Sequence, residues 1–124
     1  MKSLLLGSLL AAATILAFGA DSASLNGKWK VHTAIAGNES DSECSFTQTG
    51  NDLAGACSND QGSHKLTGKV DGSKITWSYG SEYNGEALTL RYSGTLDEAT
   101  AKISGSVTVD PFGVDGDFTA TPSK

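Results

Sequence analysis

The chain has 124 residues and a formal net charge of −5 at pH 7, with 15 glycines and only two prolines. Its lysines and arginines are few and thinly spread, which argues against binding to nucleic acids or anionic membranes, because both need clustered basic residues. After the first stretch about 100 residues remain, enough for one domain with a modest core.

The N-terminal stretch has the order of a secretory signal peptide. Met1 and Lys2 give a basic start, an apolar run extends from Leu4 to Phe18, and small residues follow as far as Ala23. The run is too short to span a bilayer of about 30 Å comfortably. We therefore predict a signal peptide over 1–23, cleaved between 19 and 23, and one domain over 24–124 in a secreted or periplasmic protein with no membrane span.

The rest of the chain alternates apolar and polar residues with a period of two, which predicts strands rather than helices. Eight such segments follow one another. Their inward-facing positions include Trp29 and Val31, then Cys44 and Phe46, Leu53 and Cys57, Leu66 and Val70, Ile75, Trp77 and Tyr79, Leu88, Leu90 and Tyr92, Ile103, Val107 and Val109, and finally Phe118 and Ala120.

Three connections, at 49–52, 71–74 and 97–100, have the composition of four-residue hairpin loops. If the flanking residues close each loop, Gln48 faces Leu53, Val70 faces Ile75, and Leu96 faces Ala101. The first register places Cys44 opposite Cys57, close enough for a disulfide, which an exported protein favours over free thiols. The same registers place three aromatic residues over cross-strand glycines: Phe46 over Gly55, Trp77 over Gly68, and Tyr92 over Gly105.

An open sheet of eight strands would expose an apolar face that no helix covers. The two solutions are a β-sandwich and a closed up-and-down barrel, and sequential hairpins favour the antiparallel barrel. Four longer loops are predicted at 36–42, 59–63, 80–86 and 110–115. In a barrel they gather at one end, which we expect to be an open-loop end.

Several motifs resemble small secreted bacterial barrels of the lipocalin and avidin type. Gly27-Lys28-Trp29 matches their Gly-x-Trp opening, and the segment from Phe46 to Gly55 is similar to their F-x-Q-x-G-x-x-L-x-G hairpin. Similar modules occur alone or appended to amidohydrolase-like enzymes. The resemblance implies a barrel and is almost silent on function. A weaker likeness is to barrel-type inhibitors of bacterial metalloproteases, which share the Gly-x-Trp and a single disulfide.

No motif predicts catalysis, a metal site or a cofactor. His32 falls on an outward face and His64 at a strand entrance, so both are interpreted as surface histidines, and no Gly-x-Ser-x-Gly elbow is present. Two acidic clusters do not fit the spacing of a calcium loop and are interpreted as solvated carboxylates. They are Glu39, Asp41 and Glu43, and Asp110, Asp115 and Asp117.

The aromatic residues are the remaining candidates for a site. Small barrels either hold one ligand or fill themselves with side chains, and so short a chain favours filling. If a site exists, we expect it at the open-loop end. The candidate ligand-binding residues are Trp29, Trp77, Tyr79, Tyr83, Tyr92 and Phe112. We predict a non-enzymatic protein that binds a small apolar ligand or a secreted protein partner, the alternative being an inhibitor of a secreted protease.

Overall fold

A computed structural model describes residues 25–60 and 62–123, so the predicted signal peptide over 1–23 lies outside the described residues. Eight strands account for nearly all of the described chain. They are β1 Gly27–Ile35, β2 Asn38–Thr49, β3 Asp52–Asn59, β4 Gly62–Asp71, β5 Lys74–Tyr83, β6 Glu86–Asp97, β7 Lys102–Asp110 and β8 Val114–Pro122. The described part of the chain contains no helix that could cross a membrane.

Each strand pairs antiparallel with the next, and β8 pairs with β1, which closes the sheet into a barrel. This confirms the predicted eight-stranded up-and-down barrel and sets aside the sandwich. The alternation is confirmed as well, since residues such as Val31, Ile75 and Ile103 face inward and are fully buried. Closure buries the apolar face of the sheet without a second layer.

The turns at one end confirm two of the three predicted registers. Gln48 pairs with Leu53 and Val70 with Ile75, although each turn has two residues rather than four. The first turn residue, Gly50 or Gly72, has φ of 61° in both cases, as a type II′ turn requires. Only glycine adopts this conformation without steric cost.

The third register was wrong by two residues. Leu96 pairs with Ile103 rather than Ala101, and Tyr92 therefore lies opposite Val107 instead of Gly105. The Ala99 amide donates a hydrogen bond to Asp97 Oδ1 at 3.0 Å, and Ala101 takes the left-handed conformation with φ of 55°. The loop therefore begins one residue later than predicted. A shift of two residues keeps every side chain on its face.

The four long loops predicted at 36–42, 59–63, 80–86 and 110–115 are also wrong, because every one of these connections is short. Ile35 pairs with Asn38, and Tyr83 pairs with Glu86. The turns between them, Ala36-Gly37 and Asn84-Gly85, have positive φ at both residues, which is the type I′ geometry that matches strand twist. What we call the open end of the barrel is thus built from strand ends and tight turns, not from loops.

The opposite end, which carries the β2–β3, β4–β5 and β6–β7 turns, is closed by Leu25. This side chain is 1% exposed, and the Trp29 indole Nε1 donates a 2.9 Å hydrogen bond to the Leu25 carbonyl oxygen. The Leu25 amide in turn donates to Gln48 Oε1 at 3.0 Å. The segment before β1 therefore seals the closed end of the barrel.

The middle of the barrel is filled by side chains, and a disulfide links two of its strands. Cys44 and Cys57 are directly paired and bonded, as predicted. Gly68 lies beneath Trp77 at a close approach of β4 and β5, where a Cβ would collide with the Thr76 carbonyl oxygen. The sheet can bend sharply here only because this position has no side chain.

Candidate functional site

A cavity of about 350 Å³ opens at the open end of the barrel. We call it the cup. Its volume lies at the lower end of the range for small-molecule sites. Its wall residues are Thr33, Ile35, Asn38, Ser40, Ser42, Asn59, Tyr79, Ser81, Glu82, Tyr83, Leu88, Leu90, Tyr92 and Val109.

The cup exists because inward-facing side chains become smaller toward the open end. On β2 the inward series runs from Phe46 and Cys44, both buried in the core, to Ser42 and Ser40 in the cup wall. On β5 it runs from Trp77 and Tyr79 to Ser81, beyond which the exposed Tyr83 lies at the rim. Serine fills far less of the interior than an aromatic ring, so the barrel is packed below this level and hollow above it.

The floor of the cup is formed by Tyr79 and Tyr92, which are 7% and 3% exposed. Their hydroxyl oxygens lie 3.3 Å apart and share a hydrogen bond. Within the described residues, this is the hydrogen bond that each phenol makes. Burial, together with the neighbouring Tyr92, raises the pKa of Tyr79, so this phenol stays neutral. One shared hydrogen bond uses one of the two O–H groups. Whichever phenol donates, the other retains a donor for a third group.

A column of stacked rings connects the floor to the core. Tyr92 stacks on Trp77 with ring centroids 4.9 Å apart, and Trp77 contacts Phe46 at 5.1 Å. Trp77 is thus one layer below the cup and does not line it. Among the described residues its indole N–H is one of two buried side-chain polar atoms without a hydrogen-bond partner.

The six candidate ligand-binding residues lie in four different places. Tyr79, Tyr83 and Tyr92 line the cup, and Tyr83 is 60% exposed at its rim. Trp77 supports the floor from below. Trp29 lies at the closed end, and Phe112, 49% exposed in the β7–β8 turn, is not part of the cup wall.

A slot separates β4 from β5 beside the cup. The two strands pair from Asp71–Lys74 to Leu66–Tyr79, and the described residues form no further pair although both strands continue. A second cavity of about 390 Å³ lies at this slot, lined by His64, Gly80, Ser81 and Glu82. Ser81 and Glu82 line both cavities, so the slot adjoins the cup from the side.

The interpretation of His64 as a surface residue was wrong. Its side chain lies on the inward face of β4 and stacks on the Tyr79 ring, with centroids 5.5 Å apart and planes 10° from parallel. The Nε2 atom is buried and has no hydrogen-bond partner within the described residues. The alternation that places Leu66 and Val70 inward also places His64 inward, and this signal was available in the sequence.

His32 lies on the outer wall, as predicted, and both of its ring nitrogens are occupied. Nδ1 lies 2.7 Å from Asp41 Oδ1 and Nε2 lies 2.8 Å from Glu39 Oε1. The hydrogen bonds with Asp41 and then Glu39 raise the pKa of His32. With both ring nitrogens hydrogen-bonded to carboxylates, His32 has no nitrogen free to accept a proton from another group.

The acidic residues considered as cation ligands point outward or bind elsewhere. Glu39 and Asp41 contact His32, Asp110 pairs with Arg91 at 2.6 Å, and Asp115 accepts a hydrogen bond from Thr108. Within 25–60 and 62–123, no group of three or more histidine, cysteine or carboxylate side chains is arranged to hold a metal ion.

Comparisons with known proteins leave the architecture as the main guide to function. No protein-family model matches this chain, and a search of the curated proteins finds no significantly similar sequence. The closed eight-stranded barrel is compatible with a lipocalin-like fold. The resemblance noted in the sequence therefore extends to the fold and no further.

Sequence reasoning missed most of the cup wall. Thr33, Ile35 and Asn59 carry no motif, and Ser40 and Ser42 fall in a stretch that was predicted as a loop. The signal available in the sequence was the alternation of inward and outward positions, which continues beyond the inward aromatic residues with small inward residues. This alternation can be recognised only if the strands are known to extend as far as the tight turns.

Proposed function

We propose that this protein is a non-enzymatic, exported binding protein that holds one small, mostly apolar ligand in the cup. The observation that carries the proposal is a barrel packed on one side of the Tyr79–Tyr92 pair and hollow on the other. A barrel selected only for stability gains by filling its interior, because each void costs packing energy. A hollow that is open to solvent and floored by two phenol side chains suits an occupant.

The composition of the wall indicates the kind of ligand. Ile35, Leu88, Leu90 and Val109 give the wall apolar surface, and serine and threonine hydroxyls are interspersed with them. Pockets of this type hold the body of a ligand by apolar contact and orient it with a few polar groups. The free phenol O–H at the floor can donate to a carbonyl, ether or hydroxyl oxygen at the inner end of the ligand.

A binding role fits the chemistry of the described residues better than catalysis. His32 has carboxylates on both nitrogens and lies outside the barrel, and His64 is stacked against Tyr79. Neither histidine is hydrogen-bonded to a serine, threonine or cysteine nucleophile among the described residues. The disulfide supports an oxidising compartment, as export to the periplasm or cell exterior would provide.

The proposal is tested by titrating the disulfide-bonded protein with a neutral naphthylamine dye that fluoresces in apolar surroundings. We expect saturable binding of one dye per chain. Ser42→Phe, which places a ring in the cup, should weaken binding at least about tenfold, as expected when about 1.4 kcal/mol of binding energy is lost. Ser104→Phe, which places the same ring on the outer face, is the matched control.

Thermal unfolding of both variants shows whether they fold, and Ser40→Phe serves as a second blocking variant if Ser42→Phe does not. Absence of saturable binding to the folded wild-type protein would refute the proposal. Equal loss of binding in Ser42→Phe and Ser104→Phe would place the dye outside the cup.

Exposed aromatic side chains favour inhibition of a secreted protease as a second candidate. Tyr83 is 60% exposed beside the β5–β6 turn, and Phe112 is 49% exposed in the β7–β8 turn at the same end. Exposed aromatic residues are typical anchors of protein interfaces. An inhibitor should lose activity against secreted proteases in Tyr83→Ser and Phe112→Ser, and retain it in Ser42→Phe. The reverse pattern supports the cup.

A further inference from the structure

In the described part of the chain, carboxylates without a basic partner lie around the cup, whereas lysines and carboxylates are mixed at the closed end. Glu82 lines the cup and the adjoining slot, and Glu86 begins β6 at a position in register with the inward-facing Leu88 and Leu90. Asp60 lies in the neighbouring β3–β4 turn. Among the described residues, none of these three carboxylates forms an ion pair with a basic side chain.

The basic residues are found elsewhere on the barrel. Lys28, Lys69, Lys74 and Lys102 all lie at strand ends or turns of the closed end, and Lys30 and Lys65 are exposed on the outer faces of β1 and β4. Arg91 is the arginine of β6, points outward, and is already paired with Asp110. Within 25–60 and 62–123, no lysine or arginine lines the cup. An anion entering the cup would therefore lose hydration, gain no counter-charge, and approach unpaired carboxylates.

We infer that the cup selects organic cations: a ligand with an apolar body that enters the barrel and a positively charged group that stays at the rim beside Glu82 and Glu86. This inference rests on the proposed function and adds the charge of the ligand. Tyr83 is exposed at the same rim, and contact of an ammonium group with the face of an aromatic ring is favourable, whereas the same contact of a carboxylate is unfavourable.

The cavity holds the body of the ligand, and the carboxylates at its rim select the charge of the ligand. The apolar wall and the phenol pair would accept a neutral or a charged ligand with the same body. Two uncompensated carboxylates at the rim attract a cation and repel an anion. At low salt we expect these opposite effects to separate the two affinities by about tenfold or more.

The experiment compares three probes that share one hydrocarbon chain: octylammonium, octanol and octanoate. Their affinities for the disulfide-bonded protein are measured by calorimetry at low ionic strength and about pH 8, where the amine and the acid are both charged. We expect octylammonium to bind most tightly and octanoate most weakly. Added salt, to about 0.5 M, should reduce the preference because it screens exposed charges.

Two double variants locate the selectivity. Glu82→Gln with Glu86→Gln removes the rim charges and should reduce the preference for octylammonium over octanoate to about threefold or less. Asp71→Asn with Glu98→Gln removes the same charge at the closed end and should leave the preference nearly unchanged.

The outcomes separate this inference from the proposed function. Equal affinities of the three probes, or tighter binding of octanoate, would overturn the charge selectivity while the cup remains a binding site. A preference that survives the rim variant and disappears in the closed-end variant would also overturn it. Failure of all three probes and of the naphthylamine dye would refute the proposed function itself.

Discussion

Replacing both cysteines by alanine should cost this protein about 3 kcal/mol of unfolding free energy. Cys44 and Cys57 are separated by 13 positions in the chain, and a disulfide that closes a loop of this length stabilises by about 3 kcal/mol on the chain-entropy estimate. Both side chains are 1% exposed, so their removal also costs packing. With an m-value of about 1–1.5 kcal/mol per M of urea, the unfolding midpoint should fall by about 2–3 M.

The position of the disulfide predicts where the barrel opens. β2 and β3 are last paired at Glu43–Ser58, one pair beyond the disulfide, while β2 continues into the cup wall. On the other side, β4 leaves β5 at Leu66–Tyr79. The β3–β4 hairpin tip is therefore unpaired along both flanks, and the disulfide holds its base. Without it, amide hydrogen exchange should accelerate over 58–65 first.

The assay combines urea denaturation with hydrogen exchange by mass spectrometry. Wild-type protein in reductant is the control that retains both sulfurs, so the difference between it and the alanine variant measures packing alone. A loss of stability below about 1 kcal/mol would refute the entropic estimate. Uniform acceleration of exchange over 58–65 and 102–109 would refute the assignment of the disulfide to the base of this hairpin.

Three further changes test the packing and the electrostatics. Gly68→Ala should destabilise by about 2–3 kcal/mol because its Cβ collides with the Thr76 carbonyl, whereas Gly80→Ala, whose Cβ lies 3.7 Å from its nearest neighbour, should change stability by less than about 0.5 kcal/mol in urea denaturation. The raised pKa of His32 means that its contribution to stability is complete below the ordinary value of 6.5 and is lost as the pH rises through the folded-state pKa. The Tm difference between wild type and His32→Gln should therefore be larger at about pH 5 than at about pH 9, and a constant difference would contradict the hydrogen-bonded pair. Leu25→Ala should open the closed end, cost about 2–4 kcal/mol and shift the Trp29 emission to the red; an unshifted spectrum would contradict the seal.

The barrel was predictable because the sequence patterns that specify it are local and recur in every strand. Alternation set which residues face inward, and the pairing of Cys44 with Cys57 followed from one turn. The third register failed because its loop depends on the Asp97 side chain and on an alanine with positive φ, neither of which the composition reveals. Even so, the face of every β7 residue was correct, since an even shift preserves alternation.

The cup was harder to predict because it forms where the inward-facing positions of the strands lack large side chains. Polar segments such as 38–42 were interpreted as loops, since a sequence rich in serine, asparagine and glutamate indicates a turn. The type I′ turn at Ala36-Gly37 lets β2 start at Asn38 instead, and these serines become the inner wall of the barrel. Trp29 was a poor candidate because it lies at the end of the barrel opposite the cup. Which end a residue occupies depends on the direction of its strand, and the turns define that direction.

The short turns also explain how so small a barrel keeps an open cavity. With no long loops at the open end, the cup wall is made of paired strands, and its shape is fixed by the hydrogen-bond ladders of β1 with β2 and β5 with β6. These two hairpins face the β3–β4 tip across unpaired edges. A ligand would therefore meet a rigid wall on most sides and an adaptable edge at the slot beside His64. Binding should then slow hydrogen exchange over 58–65 more than over 80–89, because only the hairpin with unpaired flanks has motion to lose.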